Sequence, residues 1–539
     1  MLPPPARFAA LRQHRVTGAQ ARFMLLALIL GVAAFAGHRS SARAQLPGPV
    51  IAQSPAVSAP VRVSGPSPLQ PGCEGPVPAA RIYQDTVAEP SLAIDPGNPS
   101  HVVGAWQQDR WATAGASGQV AAVSWDSGQT WNSSLAAFTR CQGGTAEAGT
   151  DYERISDPWV TIAPNGDVYQ MTIAFDNPQH PESRNAMLVS KSADGGLTWQ
   201  APVTLIHDLT RDAFNDKNSI TADPNNPDYV YAVWHRELLD VETVATPYVA
   251  PAMFSRTTDG GRTWEPPQVM VSVPGTAASG NIILVLPSGD LVDVFTLNSQ
   301  EDGATVYDLG VTRSSDRGLS WSNPSIVARM RTVDLTDPFS TFTLRPTPDN
   351  IPSAAVDRRT GQIYVTWTSG QFSGGKNSDI ALTGSSDGGR TWSSPVRVNQ
   401  TPGNALGFVP TIAVLDDGSA GITYFDLRNN TPTQLGILAD HWLAYCRSAC
   451  TASGSWQEVH IAGPFDMQRA PYARGFFIGD YMGLAGEGET FRLLYVVTTP
   501  PGVREATAAY FMTVALGGNC VAASAVALPV TGVAAKSIC

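Results

Sequence analysis

The chain has 539 residues, of which only 15% are charged, and it contains 49 glycines and 42 prolines with a formal charge of −11. This length allows several domains or one large repetitive β-structure. Abundant turn-forming residues, without long segments of helical periodicity beyond the N-terminus, favour a turn-rich all-β fold. The negative charge argues against binding to nucleic acid or to an anionic membrane surface.

Residues 1–44 have the pattern of an export signal peptide. Four arginines precede the apolar run FMLLALILGVAAFA, and Ala42-Arg43-Ala44 offers small residues for cleavage before Gln45. The run is short for a membrane span, and a retained N-terminal anchor is the alternative. Removing this segment takes away six arginines and no acidic residue, which moves the formal charge from −11 to −17. We therefore expect a secreted or periplasmic protein without a membrane span.

The next stretch, 45–72, is rich in proline, serine and valine and is predicted to be a flexible linker. Six cysteines in an exported chain indicate disulfides, because the oxidising compartment permits them and no metal-knuckle spacing is present. The preferred pairing is Cys73–Cys141, Cys446–Cys450 and Cys520–Cys539, one of fifteen combinations. The last pair would tether a C-terminal tail, 517–539.

One eight-residue phrase, here called the box, occurs five times. Its copies are SWDSGQTW at 124–131, SADGGLTW at 192–199, TTDGGRTW at 257–264, SSDRGLSW at 314–321 and SSDGGRTW at 385–392. The aspartate can accept hydrogen bonds from its own turn, the glycine permits positive φ, and the tryptophan can be buried between neighbouring sheets. The box is thus predicted to be a structural turn.

A second phrase forms a strand, a turn of Asp, Asn, Pro or Gly, and another strand. It begins near 89, 156, 217, 279, 351, 409 and 479, at spacings of 58 to 72 residues. About 60 residues hold two hairpins, which is one four-stranded blade of a β-propeller. With strands A to D counted outward from the channel, the box is the C-to-D turn. We predict a propeller over 73–516 with seven blades, or six as the alternative, closed by an outer strand near Ala80 to Gln84.

The starts of strand A and the ends of strand B share one face at the mouth of the channel. Carboxylates there suit glycoside cleavage, arginine and lysine suit an acidic substrate group, and Trp106 suits sugar stacking. The simpler interpretation is that the acids cap turns and the arginines pair with them at a solvated rim. The candidates at strand starts are Glu89, Asp157, Asp216, Lys217, Asp480 and Tyr481, and those at strand ends are Arg110, Arg236 and Arg428.

The five boxes at regular spacing resemble Asp-box, or BNR, repeats, and the chain resembles the sialidase (neuraminidase) superfamily over about 80–516. The resemblance implies three substrate-binding arginines, a tyrosine nucleophile activated by a glutamate, and an aspartate as acid and base. The phrase Tyr481-Met482-Gly483-Leu484 is similar to the nucleophile phrase of that superfamily. However, Ala88 stands where the first arginine is expected and Gly280 where the glutamate is expected.

Two functions follow as hypotheses. The first is a glycosidase-like enzyme that acts on an extracellular glycan or glycoprotein, with Tyr481, Asp480, Asp157 and Asp216 as catalytic residues. Its substrate would be bound by Arg110, Arg236, Arg428, Glu89, Trp106 and Lys217. The second is a non-catalytic propeller that binds glycan or protein through the same mouth.

No cofactor is expected to be required, and the protein is expected to be a monomer. Acidic residues at the mouth, or in the turns Asp95–Asn98 and Asp223–Asn226, could bind Ca²⁺, which prefers oxygen ligands. Ordinary Asx turns are the simpler interpretation of those two loops.

Overall fold

A computed structural model describes residues 54–75, 82–177, 183–210, 212–238, 250–340, 342–345, 351–403, 406–472 and 475–517. The predicted signal peptide, Cys520 and Cys539 lie outside the described residues. Strands dominate this part of the chain, and its helical segments are single 3₁₀ turns. None of the described helical segments is long and apolar enough to cross a membrane.

Two short strands come first, β1 (Ala56–Val57) and β2 (Val61–Arg62). The later strands form successive antiparallel groups in which each strand pairs with the next one along the chain. The first group is β3 (Ile82–Asp95), β4 (Asn98–Trp111), β5 (Ala116–Ser124) and β6 (Asn132–Ser134). The second is β7 (Arg154–Ile162), β8 (Val168–Phe175), β9 (Asn185–Ser192) and β10 (Val203–Asp208).

Two further groups follow in the same order. The third is β11 (Ala213–Ala222), β12 (Val230–Leu238), β13 (Ala252–Thr257) and β14 (Gln268–Val271), and the fourth is β15 (Thr276–Val285), β16 (Leu291–Glu301), β17 (Ala304–Ser314) and β18 (Ser325–Met330). A small hairpin, β19 (Leu335–Thr336) and β20 (Thr343–Arg345), is inserted after the fourth group.

The last groups complete the series. The fifth is β21 (Ser353–Val356), β22 (Ile363–Ser369), β23 (Asp379–Ser385) and β24 (Val396–Arg397), and the sixth is β25 (Phe408–Val414), β26 (Ala420–Asp426), β27 (Leu438–Cys446) and β28 (Gln457–Asp466). The seventh contains β29 (Gly483–Glu487), β30 (Thr490–Thr498) and β31 (Thr507–Ala515).

The groups are arranged in a ring. Each innermost strand contacts the innermost strand of the next group, and β29 of the last group contacts β3 of the first. The strand β8, VYQMTIAF, is buried along its whole length, as expected for a sheet packed between two neighbouring sheets. The predicted all-β fold and the β-propeller class are confirmed. Seven strand groups can be followed through the described residues, and we keep seven blades as the prediction.

Each box lies between the third and fourth strands of its group, as predicted. In the second box Asp194 Oδ1 accepts from the backbone N–H of Thr198 at 2.9 Å, and Oδ2 accepts from the Thr198 hydroxyl at 2.6 Å. These bonds, with the Thr198 hydroxyl first, lower the pKa of Asp194 to about 2. The box tryptophan contacts the preceding sheet: Trp131 packs edge-on against Phe511, and Trp321 against Phe254.

The closure of the ring differs from the prediction. The stretch near Ala80 to Gln84 was expected to supply the outer strand of the last group, but residues from Ile82 onward belong to β3 and pair with β4. The strands β1 and β2 pair with β31 instead, with Val61 opposite Phe511 and Val57 opposite Val514. An unpaired β31 would expose a row of backbone groups, and these short strands cover it. Residues 56–62 are therefore not a flexible linker.

Two disulfides of the predicted pairing are confirmed. Cys73 is bonded to Cys141 and Cys446 to Cys450. The first joins the N-terminal segment, which carries the closing strands, to the connection between β6 and β7. The second closes only a five-residue loop between β27 and β28.

Removing the first disulfide is expected to destabilise the protein more than removing the second. The Cys73–Cys141 bond spans a sequence separation of 68 and the Cys446–Cys450 bond a separation of 4. Loop-closure entropy then predicts a loss of about 4 kcal/mol for Cys73→Ala/Cys141→Ala and about 2 kcal/mol for Cys446→Ala/Cys450→Ala. Denaturant unfolding of both double variants measures the difference, and equal losses would contradict the anchoring role of Cys73.

Candidate functional site

The innermost strands share an irregularity near their start. In β3, β7, β11, β15 and β25 the pairing register shifts at the same place. A residue with positive φ lies at each shift: Glu89 (52°), Asp157 (54°), Lys217 (53°), Gly280 (66°) and Val409 (53°). Four of these five are not glycine, so the conformation costs energy and is held by the surrounding structure. Such bulges redirect side chains, here at the channel mouth.

A cavity of about 160 Å³ lies among these strand starts. The innermost strand of every group contributes to its lining, which places the cavity at the centre of the ring. Its ionisable lining residues are Asp157, Lys217, Asp480 and Tyr481. The prediction that strand starts converge on one mouth therefore holds for these four residues.

The cation of the cavity is paired with one of its acids. Lys217 Nζ donates to Asp480 Oδ2 at 2.6 Å, and the two side chains are 13% and 2% exposed. Glu89 lies next to this pair in the ring and is buried. It accepts a hydrogen bond from Gln107 Nε2, which also donates to Ser156 Oγ at 3.1 Å. The predicted residues Glu89 and Lys217 are thus each held by a polar partner, Glu89 by Gln107 and Lys217 by Asp480.

Asp216 lies beside the cavity, and its pKa is raised. Its pairing partner across the sheet is His235, and the backbone N–H of Lys217 donates to its Oδ1 at 2.9 Å. Burial raises the pKa of Asp216 to about 6, opposed by the charges of Lys217 and His235 and assisted by the negative charge of Asp157. Asp216 is therefore partly protonated near neutral pH, as a proton donor requires.

Tyr481 lies in the cavity, but its hydroxyl is directed at the protein. The hydroxyl donates to the carbonyl oxygen of Pro158 at 2.9 Å, and the ring packs edge-on against Trp159. Burial raises the pKa of Tyr481 well above its ordinary value, assisted by the carboxylates of Glu89, Asp157 and Asp216. These surroundings disfavour the phenolate, which a tyrosine nucleophile needs.

The three predicted arginines are bound by the protein. Arg110 donates to Gln107 and lies 4.3 Å over the ring of Phe477. Arg236 is paired with Asp208 at the end of β10.

Arg428 is held within the sixth group, where it pairs with Asp426 at 2.7 Å and Glu458 at 3.0 Å and stacks on Trp442. Neither Arg236 nor Arg428 lines the cavity. The rim-pairing interpretation describes these two arginines better than substrate binding.

Trp106 also differs from its predicted role. Its side chain is 1% exposed, its Nε1 donates to Gln108, and it belongs to a hydrophobic cluster of the sheets. A buried ring of this kind has no face available to a sugar. The tryptophan that lines the cavity is Trp159, which is only partly buried.

Among the cavity residues that the sequence analysis missed are three with an aromatic or amide side chain beside a bulge: Trp159, Asn218 and Asn281. Each follows one of the bulge residues, in the phrases Asp157-Pro158-Trp159, Lys217-Asn218 and Gly280-Asn281. The recurring position of these phrases at the start of each hairpin was the available signal. To find these residues from the sequence, the hairpins would have to be aligned with one another, instead of selecting only the charged residues at strand starts and ends.

Ala88 and Gly280 stand where the sialidase pattern predicts an arginine and a glutamate. Ala88 is fully buried. Gly280 has a φ of 66°, and a Cβ at this position would lie 2.9 Å from Ile351 Cγ2. A side chain at 280 would therefore crowd Ile351, although the equivalent bulge positions of two other strands hold Glu89 and Asp157 at positive φ.

In the two turns considered for Ca²⁺, the aspartate carboxylates accept hydrogen bonds from the protein itself. Asp95 Oδ1 accepts from the backbone N–H of Gly97 at 2.8 Å, and its Oδ2 lies 3.0 Å from His101 Nδ1. Asp223 accepts from the backbone N–H of Asn225 at 2.8 Å and from the Tyr231 hydroxyl at 3.1 Å. Asx turns account for both loops, and binding of Ca²⁺ stays a prediction.

Comparison with known proteins gives similarity of fold only. No family model and no curated protein matches the chain. Among solved structures, it is similar to a protein of unknown function from Dyadobacter fermentans, at 14% identity over 80% of this chain and 95% of that one, with a TM-score of 0.43. It is also similar to an alpha-L-arabinanase from Penicillium chrysogenum, at 17% identity over 69% and 94%, with a TM-score of 0.43.

A third similar structure is the NanB sialidase from Streptococcus pneumoniae, at 11% identity over 81% and 94%, with a TM-score of 0.43. Likenesses at this level support no argument about family or activity. The class rests on the strands and the cavity described above: a β-propeller with an acidic cavity among the starts of its innermost strands.

Replacing Asp216 is expected to stabilise the protein at neutral pH. Because its pKa is raised to about 6, ionisation in the folded state costs free energy, and stability falls as the pH rises from about 4 through 6. Asp216→Asn removes this cost. Denaturant unfolding should therefore show a more stable variant at pH 7.5 and little difference from the wild type at pH 4.

Asp194→Asn is the matched control, because its expected effect on stability at neutral pH is opposite to that of Asp216→Asn. The pKa of Asp194 is lowered to about 2, so its carboxylate stabilises the fold above pH 4 and this contribution is lost as the pH falls towards 2. This variant should be less stable than the wild type at pH 7.5. A stability loss for Asp216→Asn at pH 7.5 would contradict the raised pKa.

Proposed function

We propose that the protein is an exported glycoside hydrolase that acts on extracellular glycans at the cavity. The observation that carries the proposal is that Asp157 and Asp480 line one cavity while Asp216, a carboxyl group with a raised pKa, lies beside it. Hydrolysis of a glycosidic bond uses two carboxyl groups, one protonated and one ionised. The two disulfides support an extracellular location, because such bonds persist in oxidising compartments.

Asp216 is assigned as the proton donor. It transfers its proton to the glycosidic oxygen as the bond between that oxygen and the anomeric carbon breaks, so that the leaving sugar departs as an alcohol. Asp157, whose negative charge helps to raise the pKa of Asp216, is assigned as the ionised partner. It stabilises the positive charge that develops on the anomeric carbon. Water then bonds to that carbon through its oxygen and gives its proton to the Asp157 carboxylate, and exchange of protons with solvent restores the starting state of both carboxyl groups.

The Lys217–Asp480 pair is assigned to positioning and electrostatics. Its 2.6 Å contact fixes the ammonium group next to Asp216, whose ionised form it favours. This places a limit on how far the pKa of Asp216 can rise. Tyr481 is assigned a structural role, because its hydroxyl is occupied by the carbonyl of Pro158. The chemistry proposed here therefore uses carboxyl groups rather than the tyrosine that the superfamily resemblance implies.

Substitution of the carboxyl groups tests the assignment. The purified protein should release reducing sugar from at least one member of a panel of aryl glycosides and polysaccharides. Asp216→Asn and Asp157→Asn should each lower kcat at least about 100-fold. Tyr481→Phe should keep kcat within about tenfold, because it removes one hydrogen bond and no reacting group. The matched control is Asp228→Asn, at an exposed turn between β11 and β12 on the opposite face.

The pH profile gives a second readout. A proton donor with a pKa of about 6 is lost as the pH rises, so kcat/KM should fall on the alkaline side with a midpoint near 6. Asp216→Asn should abolish this alkaline limb. Sialoside turnover that is lost in Tyr481→Phe would replace the carboxyl mechanism by a tyrosine nucleophile. Saturable glycan binding without turnover of any substrate would instead establish the non-catalytic alternative.

A further inference from the structure

The cavity has the wrong electrostatics for an acidic sugar. Three of the four predicted cations are already paired with acids: Lys217 with Asp480, Arg236 with Asp208 and Arg428 with Asp426. The fourth, Arg110, does not line the cavity, donates to Gln107 and lies over the ring of Phe477. The acids around the cavity include Asp157, Asp216 and Asp480. An anionic ligand would have to displace an ion pair or approach like charges, and both cost affinity.

An aromatic ring provides the apolar part of the site. Trp159 lines the cavity and is partly exposed. It is held in place by the edge-on contact with Tyr481, whose ring centroid is 5.0 Å away, and Tyr481 is fixed by its bond to Pro158. A preorganised indole face suits the apolar C–H face of a sugar ring, because large aromatic rings combine contact area with a negative face.

Two asparagines provide acceptors of fixed orientation. Asn218 Nδ2 donates to the backbone carbonyl of Asp157 at 3.0 Å, and Asn281 Nδ2 donates to Asp293 Oδ2 at 2.7 Å. Both side chains are buried at the cavity, 3% and 1% exposed, and the Oδ1 atom of each accepts no hydrogen bond from the protein. A buried amide oxygen without a donor is costly, which makes each of them a position for a ligand hydroxyl or amide N–H.

We infer that the cavity is a subsite for an uncharged sugar, whose ring stacks on Trp159 and whose hydroxyl groups donate to Asn218 and Asn281. This deepens the proposed function by naming its substrate class, and it rests on that function for the choice of a sugar as the ligand. It also distinguishes the chain from the sialidases that it resembles in sequence, because those bind an acidic sugar through arginines. In this proposal, the preference for an uncharged sugar comes from Trp159, Asn218 and Asn281, which follow the bulge residues.

Binding rather than turnover tests the inference. Asp216→Asn protein, which the proposed mechanism makes inactive, is titrated by calorimetry with neutral fragments of arabinan, xylan, glucan, galactan and mannan. Sialyllactose and oligogalacturonate are the acidic probes. At least one neutral fragment should bind at least tenfold more tightly than either acidic probe. In the same background, Trp159→Ala should weaken that binding at least tenfold and Asn281→Ala about fivefold.

Two variants separate loss of the subsite from loss of the fold. Trp159→Phe keeps an aromatic face and should bind within about threefold of its parent. Trp125→Ala removes a tryptophan that is 47% exposed at the box face and should leave binding unchanged. Thermal unfolding of each variant verifies that the propeller is intact. Tighter binding of an acidic probe, absence of binding to every neutral fragment, or equal binding by Trp159→Ala would each overturn the inference.

The two proposals fail in different ways. Neutral binding that depends on Trp159, without hydrolysis by the wild type, would refute the hydrolase and keep the subsite. Hydrolysis that depends on Asp216, with KM unchanged in Trp159→Ala and Asn281→Ala, would refute the subsite and keep the hydrolase. The calorimetric and kinetic measurements are therefore made on the same set of variants.

Discussion

The structure depends on closing a ring of sheets whose innermost strands contact one another without pairing with one another. Within the described residues, one bridge between Ala116 of β5 and Ile155 of β7 joins the first two sheets. Neighbouring groups are joined mainly by side chains: the box tryptophans pack against the preceding sheet, and Ser219 Oγ donates to the carbonyl of Asn281 at 2.7 Å. The last group contacts the first directly, through β29, β30 and β31 against β3, and β1 and β2 cover the outer edge of β31. Since every group contributes to the cavity, the site exists only in the closed ring.

The repeated parts of this fold were predictable because they are encoded locally. The boxes and hairpins carry turn residues, strands and a tryptophan within a short stretch, so each copy indicates the same structural unit. The position of the box between the third and fourth strands followed from the order of the strands along the chain. Closure was not predictable in the same way. Val61 pairs with Phe511, and two short strands in a Pro/Ser-rich stretch show no alternation that would distinguish them from a linker.

The candidate site was predictable in part, for a related reason. Polar residues at strand starts indicated Asp157, Lys217, Asp480 and Tyr481, which line the cavity. Trp159 was missed because a bulge decides which side chains face the channel, and positive φ at Asp157 cannot be inferred from its identity. For the arginines the sequence left substrate binding and ion pairing open, because two of the acidic partners lie 28 and 30 residues away: Arg236 pairs with Asp208 and Arg428 with Glu458, besides its near neighbour Asp426.

The origin of the closing strands has a consequence for how the protein folds. Residues 56–62 are synthesised early, yet their partner strand, Thr507–Ala515, is synthesised more than 400 residues later. Contacts between such distant segments form slowly, because a long chain must first be brought together. Until then β31 is an edge open to other chains. We therefore expect the chain to be most prone to aggregation between the synthesis of β31 and its pairing with β1 and β2.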